Sequence, residues 1–169
     1  MKIGLLSDTH SYLDKRVFEY FADCDEVWHA GDIGDIAMAR QLEQFKPFRA
    51  VYGNIDDRQI QTTYPEDAWF TCEELTVWMT HIGGAPPHYN TRVKKQLKEK
   101  TPDVFICGHS HILRIGRDTM HNNMLYINPG AAGNQGFHPM KTIVRFEILG
   151  RDVRNMEVIE LGKRGQLQE

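Results

Sequence analysis

The chain has 169 residues, 41% of them hydrophobic and 25% charged, with a net charge of -3. That length suits one domain burying about two thirds of its unfolded surface, and the composition is ordinary for a soluble globular protein. The slight negative charge gives no general attraction to nucleic acid or to an anionic membrane, so neither is expected as a partner.

The first apolar run, Ile3-Gly4-Leu5-Leu6, stops abruptly at Ser7-Asp8-Thr9-His10-Ser11. A buried strand thus carries a carboxylate and an imidazole at its carboxyl end. Tyr12 to Ala22 reads as a helix, with Leu13, Val17, Tyr20 and Phe21 at helical spacing. A second strand, Glu26 to His29, leads to Gly31-Asp32, where glycine lets the backbone approach a site closely. Ile36 to Phe45 predicts a helix with Ile36, Ala39, Leu42 and Phe45 on one face, closed by Pro47. This alternation argues for parallel strand pairing. A third strand, Arg49 to Tyr52, delivers Gly53-Asn54.

The rhythm then changes. Glu66 to Cys72 and Leu75 to His81 are joined by Glu73-Glu74 and read as an antiparallel hairpin. Gly83 to His88 is a loop, and Thr91 to Lys100 is a charged amphipathic helix around Val93 and Leu97. Its lysine run includes a glutamate and no interleaved aromatics, which marks a solvated face. The Val104 strand runs into Gly108-His109-Ser110-His111. Beyond Leu113 no helix is evident: runs at Ile112 to Gly116, Met124 to Ile127, Thr142 to Ile148 and Val153 to Leu161 are expected to form one antiparallel closing sheet. Residues 1-169 make a single domain, with a polar tail at 162-169 expected to fray.

Five predicted strands end in a residue type that binds metals. In open α/β sheets the ligand site lies outside the carboxyl ends of the strands, so these residues should converge on one rim. The set is Asp8, His10, Asp32, Asn54, His81, His109 and His111. Imidazoles and carboxylates without cysteine suit Mn, Fe, Zn or Ni. His29, His88, His121 and His138 are read as structural or surface residues, His29 with a supporting role near the site.

The ordered series Asp8-x-His10, Gly31-Asp32, Gly53-Asn54, His81 and Gly108-His109-Ser110-His111 resembles the calcineurin-like metallophosphoesterases, in particular their small single-domain prokaryotic phosphodiesterase branch. The match runs from Asp8 to Asn128-Pro129-Gly130. The resemblance implies an α/β fold, a four-layer α/β/β/α sandwich with two mixed sheets packed face to face. It also implies two divalent ions, with Asp32 bridging, Asp8, His10 and His111 on the first, and Asn54, His81 and His109 on the second. Asp32, Asn54 and His109 are the residues it places at the chemistry. Two such ions can hold the attacking and leaving oxygens of a displacement at phosphorus. Four positive charges against two carboxylates leave a surplus that attracts an anionic phosphoester, and the nucleophile would be a hydroxide on the metal. Mn is the expected occupant, with Zn, Ni or Fe as alternatives. Asp56 and Asp57 are candidate acceptors for the far nitrogens of the imidazoles.

The expected activity is hydrolysis of a small phosphodiester, extending to monoesters with good leaving groups. One position departs from the pattern. After Gly53-Asn54 many members of the superfamily carry histidine, and small prokaryotic ones often cysteine, whereas this chain has Ile55. Isoleucine cannot protonate a leaving oxygen, and losing a general acid costs roughly 10²- to 10⁴-fold on poor leaving groups. The alternative is a catalytically weak metal-binding scaffold on the same fold, as in the retromer subunit that resembles this family. A patch around Trp69 and Phe70 is a candidate homo-oligomer interface. Cys24, Cys72 and Cys107 form an odd set without C-x-x-C spacing, so reduced thiols are expected. The apolar run after Lys2 is too short for a signal peptide, and no segment approaches a membrane span; a cytoplasmic location follows as the expectation.

Overall fold

The structure, a computed structural model, describes residues 1-166. In chain order its elements are β1 (Lys2–Leu6), α1 (Arg16–Tyr20), β2 (Glu26–His29), α2 (Ile36–Phe45), β3 (Phe48–Ala50), α3 (Arg58–Thr63), β4 (Asp67–Cys72) and β5 (Leu75–Thr80). They continue with β6 (Gly84–Ala85), β7 (His88–Tyr89), α4 (Thr91–Glu99), β8 (Val104–Ile106), β9 (Arg114–Asp118), β10 (Met124–Asn128), β11 (Met140–Leu149) and β12 (Asp152–Lys163).

Strand periodicity explains the layering. Successive side chains point to opposite faces, and the central strands are apolar on both. Ile3 and Leu5 of β1, Trp28 of β2, Val77 and Met79 of β5, Val104 and Ile106 of β8 and Phe146 of β11 meet in one buried core. The opposite faces carry Leu6, Val27 and Ile143, which pack with Val17 and Phe21 beside α1 and Leu42 of α2. On the far side Trp78, Phe105 and Tyr126 pack against Val93 and Leu97 of α4. Two five-stranded mixed sheets, in the orders β12-β11-β1-β2-β3 and β4-β5-β8-β10-β9, therefore lie face to face with helices outside. β1, β2 and β3 are parallel neighbours in one sheet, and β5, β8 and β10 in the other.

The last four strands do not form one closing sheet. β10 pairs in parallel with β8 and antiparallel with β9, extending the second sheet, while β11 pairs antiparallel with β1 and carries β12 at the edge of the first. The face of β11 with Val144, Phe146 and Ile148 is apolar and completes the shared core from the first sheet, while Arg145 and Glu147 lie on its other face. The expected helix from Tyr12 starts only at Arg16. Asp14 Oδ1 takes the Arg16 backbone N–H (3.0 Å) and both its oxygens take the guanidinium (3.1 and 2.8 Å), so the local side chain competes with helical continuation. α3 was not foreseen, because Ile60 is its one buried apolar residue and gives no periodicity; its start is capped by Asp57, which accepts from Ile60 N. The strand expected at Ile112 begins two residues later, at Arg114.

The tail also differs from expectation as far as it is described. β12 includes Gly162 and Lys163, Arg164 N donates to the Pro139 carbonyl (3.0 Å), and Gly165 N donates to Asn134 Oδ1 (3.0 Å). Residues 167-169 of the expected frayed segment lie outside the described residues. Trp69 and Phe70 are half-buried: Trp69 stacks on Trp78 at 4.9 Å under Lys100, and Phe70 packs edge-on against Trp28 with Arg49 over it. Among the described residues no helix is long and apolar enough to cross a membrane.

Trp28 joins the two sheets, with its ring edge-to-face on Phe70 (4.9 Å) of β4 and Phe146 (5.9 Å) of β11. It is fully buried. Trp28→Ala should destabilise the fold by about 3-5 kcal/mol, read as a lower urea midpoint at unchanged slope.

Candidate metal centre

The carboxyl ends of β1, β2, β3, β5 and β8 open on one rim, and backbone bonds lock the segments that leave them. Asp8 N donates to Gly31 O (3.0 Å), His10 N to Asp32 O (3.0 Å), and Gly108 N to His81 O (3.0 Å). The residues at these strand ends bend the backbone sharply. Asp8, His10, Asp32, His109 and His111 all have φ between 46° and 68°. That left-handed region costs a non-glycine residue on the order of 1 kcal/mol or more each. The strain re-aims their side chains: His109 and His111, two residues apart, face different acidic partners.

All seven residues singled out in the sequence meet here. Asp8, His10 and His111 form one group and Asp32, His81 and His109 another, each with its ligand atoms within 4.8 Å of one another. Asp8 Oδ1 lies 3.1 Å from His111 Nε2, 3.8 Å from His81 Nε2 and 3.9 Å from His10 Nε2. Asp32 Oδ2 stands between the groups, 3.4 Å from His10 Nε2 and 3.2 Å from His81 Nε2. Asn54 Oδ1 lies 3.1 Å from His81 Nε2 and 2.9 Å from His109 Nδ1. Asp8, Asp32 and His81 are the buried floor, while Asn54 and His109 are exposed at the rim.

Tautomers decide what this cluster can hold. His81 Nδ1 is 2.8 Å from the Ala30 carbonyl oxygen, which can only accept, so Nδ1 carries a hydrogen. In its neutral form His81 would turn the Nε2 lone pair toward three oxygens, a repulsion that a proton or a metal ion on Nε2 relieves. Asp8 Oδ1 and His10 Nε2 are buried without any hydrogen bond. Lone pairs facing lone pairs out of water are costly unless a cation lies among them, so this donor set fits divalent metal ions. Burial opposes protonation of His81, but the hydrogen bond to Asp32 and the charges on Asp8 and Asp32 outweigh it and hold its pKa above the usual imidazole value. Burial likewise works to raise the Asp32 carboxyl, yet His81 and the Ile55 N–H keep it below the usual carboxylate value. The field that favours a proton on these imidazoles also favours a metal cation.

The supports around the cluster are different from those expected. Asp56 and Asp57 accept from no imidazole. Asp56 instead takes three backbone N–H groups, Gly53 and Gly34 at 2.8 Å and Ile33 at 3.1 Å, clamping the Asp32 segment to the Asn54 segment; Asp57 caps α3. The other oxygen of Asp8 accepts from Ser7 Oγ (2.7 Å) and His109 N (3.1 Å), and the other oxygen of Asp32 from Ile55 N (3.0 Å). His29 accepts the Gly31 N–H on Nδ1 (3.1 Å), so Nε2 carries the hydrogen that meets Thr9 Oγ1 at 2.9 Å. Burial pushes its pKa down to about 3, and it stays neutral. A Cβ at Gly53 would strike the Asp32 carboxylate, and one at Gly108 would strike Ser7 Oγ, so both glycines permit close approach. Asn128 donates to Gly108 O (3.0 Å) and Ser110 Oγ (3.1 Å), bracing the His109 loop.

The sequence named Asp56 as a candidate support without separating it from Asp57 or foreseeing its backbone partners, and it read His138 as structural or surface without placing it beside His111. His138 is buried with its ring edge-on to His111 at 5.1 Å, and Nε2 meets the Gly133 carbonyl oxygen at 2.8 Å. His88 is exposed on β7. Cys107 precedes the His109 loop, but burial pushes its thiol up to about 12, so it supplies no thiolate nucleophile at neutral pH.

The chain matches the calcineurin-like phosphoesterase superfamily domain over residues 1–151 and belongs to that family. A probable metallophosphoesterase of Methanothermobacter thermautotrophicus is 33% identical over 139 residues, covering 78% of this chain and 77% of that protein. Among solved structures, an archaeal phosphodiesterase superposes with a TM-score of 0.74 at 24% identity, covering 94% of this chain and 100% of the other. Zinc-complexed Vps29 of Entamoeba histolytica gives 0.71 at 17% identity, with 95% and 99% covered. These two structures share the fold.

Asp56→Ala leaves three buried backbone donors without their charged acceptor. It should cost about 3 kcal/mol or more, whereas Asp56→Asn, which keeps one acceptor oxygen, should recover part of the loss in the same urea titration.

Proposed function

We propose that this phosphoesterase-family chain is a binuclear, metal-dependent phosphodiesterase that works best on esters with acidic leaving groups. The observation that carries this reading is Asp32 Oδ2, set between His10 and His81 and so between the two candidate ligand groups. Asp8, His10 and His111 would hold one ion, Asn54, His81 and His109 the other, and Asp32 would be shared. Bound divalent ions, Mn being our choice, supply Lewis acidity toward the phosphoryl oxygens and lower the pKa of a water.

The chain's own residues account for the rest. The buried carboxylates and imidazoles fix the donor set, and exposed Asn54 and His109 border the space where a substrate enters. Ile55, 45% exposed, offers no proton to a leaving oxygen. Its backbone N–H instead orients Asp32. Leaving groups that depart as anions are therefore favoured. Room on both sides of the centre supports a diester. One cavity, about 290 Å³, is lined by Asn54, His81, Thr80, Asn90 and Arg92, and another of about 670 Å³ adjoins His109 and His111. The archaeal neighbour's description as a phosphodiesterase points the same way. The three thiols are free and buried, which suits a reducing compartment, and we place the protein in the cytoplasm.

Ile55 also favours a second reading, a metal-binding scaffold without efficient turnover. Protein stripped with chelator and reloaded with Mn separates the two. Bis-p-nitrophenyl phosphate should be hydrolysed faster than p-nitrophenyl phosphate, and Asp32→Ala should lose more than about 100-fold, since even outer partners of metal ligands are worth roughly 10- to 100-fold. No turnover by reloaded wild-type protein would favour the scaffold.

A further inference from the structure

The cavity beside His111 is unlike the one beside Asn54, and the difference bears on substrate choice. It shares His109 and His111 with the candidate centre, so a substituent on a phosphate held there lies directly beside it. Its volume of about 670 Å³ is in the range of small-molecule sites. One wall is apolar, formed by Ile112, Leu113, Phe137, Pro139 and Met140, and the rest of the lining is mostly polar. Phe137 is fully exposed and Ile112 is 66% exposed, leaving large apolar surface uncovered next to the centre.

The loop that presents Phe137 is tied down on both sides. His138 Nε2 meets the Gly133 carbonyl oxygen (2.8 Å), Arg164 N donates to Pro139 O (3.0 Å) and Gly165 N donates to Asn134 Oδ1 (3.0 Å). Phe137 thus stands on a braced loop. The lining has one acidic residue, exposed Glu160, and among the described residues no lysine or arginine. Arg164 donates through Nε to the His138 carbonyl (3.0 Å) without lining the space. Away from the candidate centre, a second phosphate or a carboxylate entering here would meet the Glu160 carboxylate and no lysine or arginine. The cavity on the other side is lined by Glu66 as well as Arg92, whose guanidinium is paired with Asp67 at 2.8 Å and donates to Thr80 Oγ1 at 2.8 Å.

We propose that the groove formed by Ile112, Leu113, Phe137, Pro139 and Met140 is the subsite for an uncharged aryl or branched-alkyl substituent of the phosphodiester. Glu160 at its wall selects against substituents that carry a further negative charge. The substrate class is then a mono-anionic diester with one bulky apolar group, directed to the His111 side, rather than an oligonucleotide or a nucleotide with additional phosphates. The inference rests on the phosphodiesterase reading and sharpens it.

Three diesters with one leaving group test it: methyl, benzyl and 4-carboxybenzyl 4-nitrophenyl phosphate, hydrolysed by the full Mn-loaded chain. Seating the ring should raise kcat/KM for the benzyl ester tenfold or more over the methyl ester, with the 4-carboxybenzyl ester falling back. The double variant Leu113→Ala/Phe137→Ala should bring the benzyl-to-methyl ratio toward one. Glu160→Lys should raise the 4-carboxybenzyl-to-benzyl ratio. Calorimetry with benzylphosphonate and methylphosphonate should show the same preference in binding, without turnover. Equal kcat/KM for benzyl and methyl esters, or a ratio untouched by the double variant, would overturn the subsite and leave the phosphodiesterase reading standing. No turnover of any of the three would overturn the phosphodiesterase reading, and no benzyl preference in the calorimetry would overturn the subsite.

Discussion

Asp8 and Asp32 each turn one carboxylate oxygen toward the ring nitrogens of His10 and His81, and Asp8 also faces His111, in a place that water scarcely reaches. Such a cluster repels itself unless positive charge occupies it, because burial strips the solvent that would screen the lone pairs. Much of the fold answers to that constraint. Two sheets bring their parallel strands to one rim, and left-handed turns at five of the strand-end residues aim the side chains inward. Asp56, His29 and Asn128 then hold the turned segments to one another through the backbone. The strained backbone is affordable because the apolar core beneath it, with Trp28 at the junction of the sheets, is fully buried.

Much of the site was legible in the sequence, for a physical reason. A buried strand must be a short apolar run, so a histidine, aspartate or asparagine placed just after its end stands out. Asp8, Asp32, Asn54, His81 and His109 all follow this rule. The supports do not. Asp56 does its work through backbone amides, which leave no residue-type signature, and His138 lies on a loop whose path no periodicity predicts. The fold shows the same division. α2 was readable from its apolar face, and β5 from its alternation. The allocation of β9 through β12 to two different sheets was not, because a strand's partners are chosen by contacts distant in sequence.

The centre and its surroundings make different demands on a substrate. Buried ligands and a shared carboxylate suit the handling of a phosphoryl group in general and say little about what it is attached to. On the proposed reading, discrimination falls to exposed residues: Ile55, which has no proton to give a leaving oxygen, and the apolar wall with Phe137 beside the remaining substituent. Both lie in loops outside the strand ends. The Vps29 structure shows that this fold also exists under another protein's name, so it is the local chemistry at the rim that must argue for turnover in this chain.

The most direct measurement is the number of divalent ions bound per chain, by native mass spectrometry of chelator-stripped protein titrated with Mn. The account predicts stepwise addition that saturates at two ions, because Asp32 serves two ligand groups. Saturation at one ion, or no binding, would contradict the binuclear centre and with it the chemistry assigned to this rim.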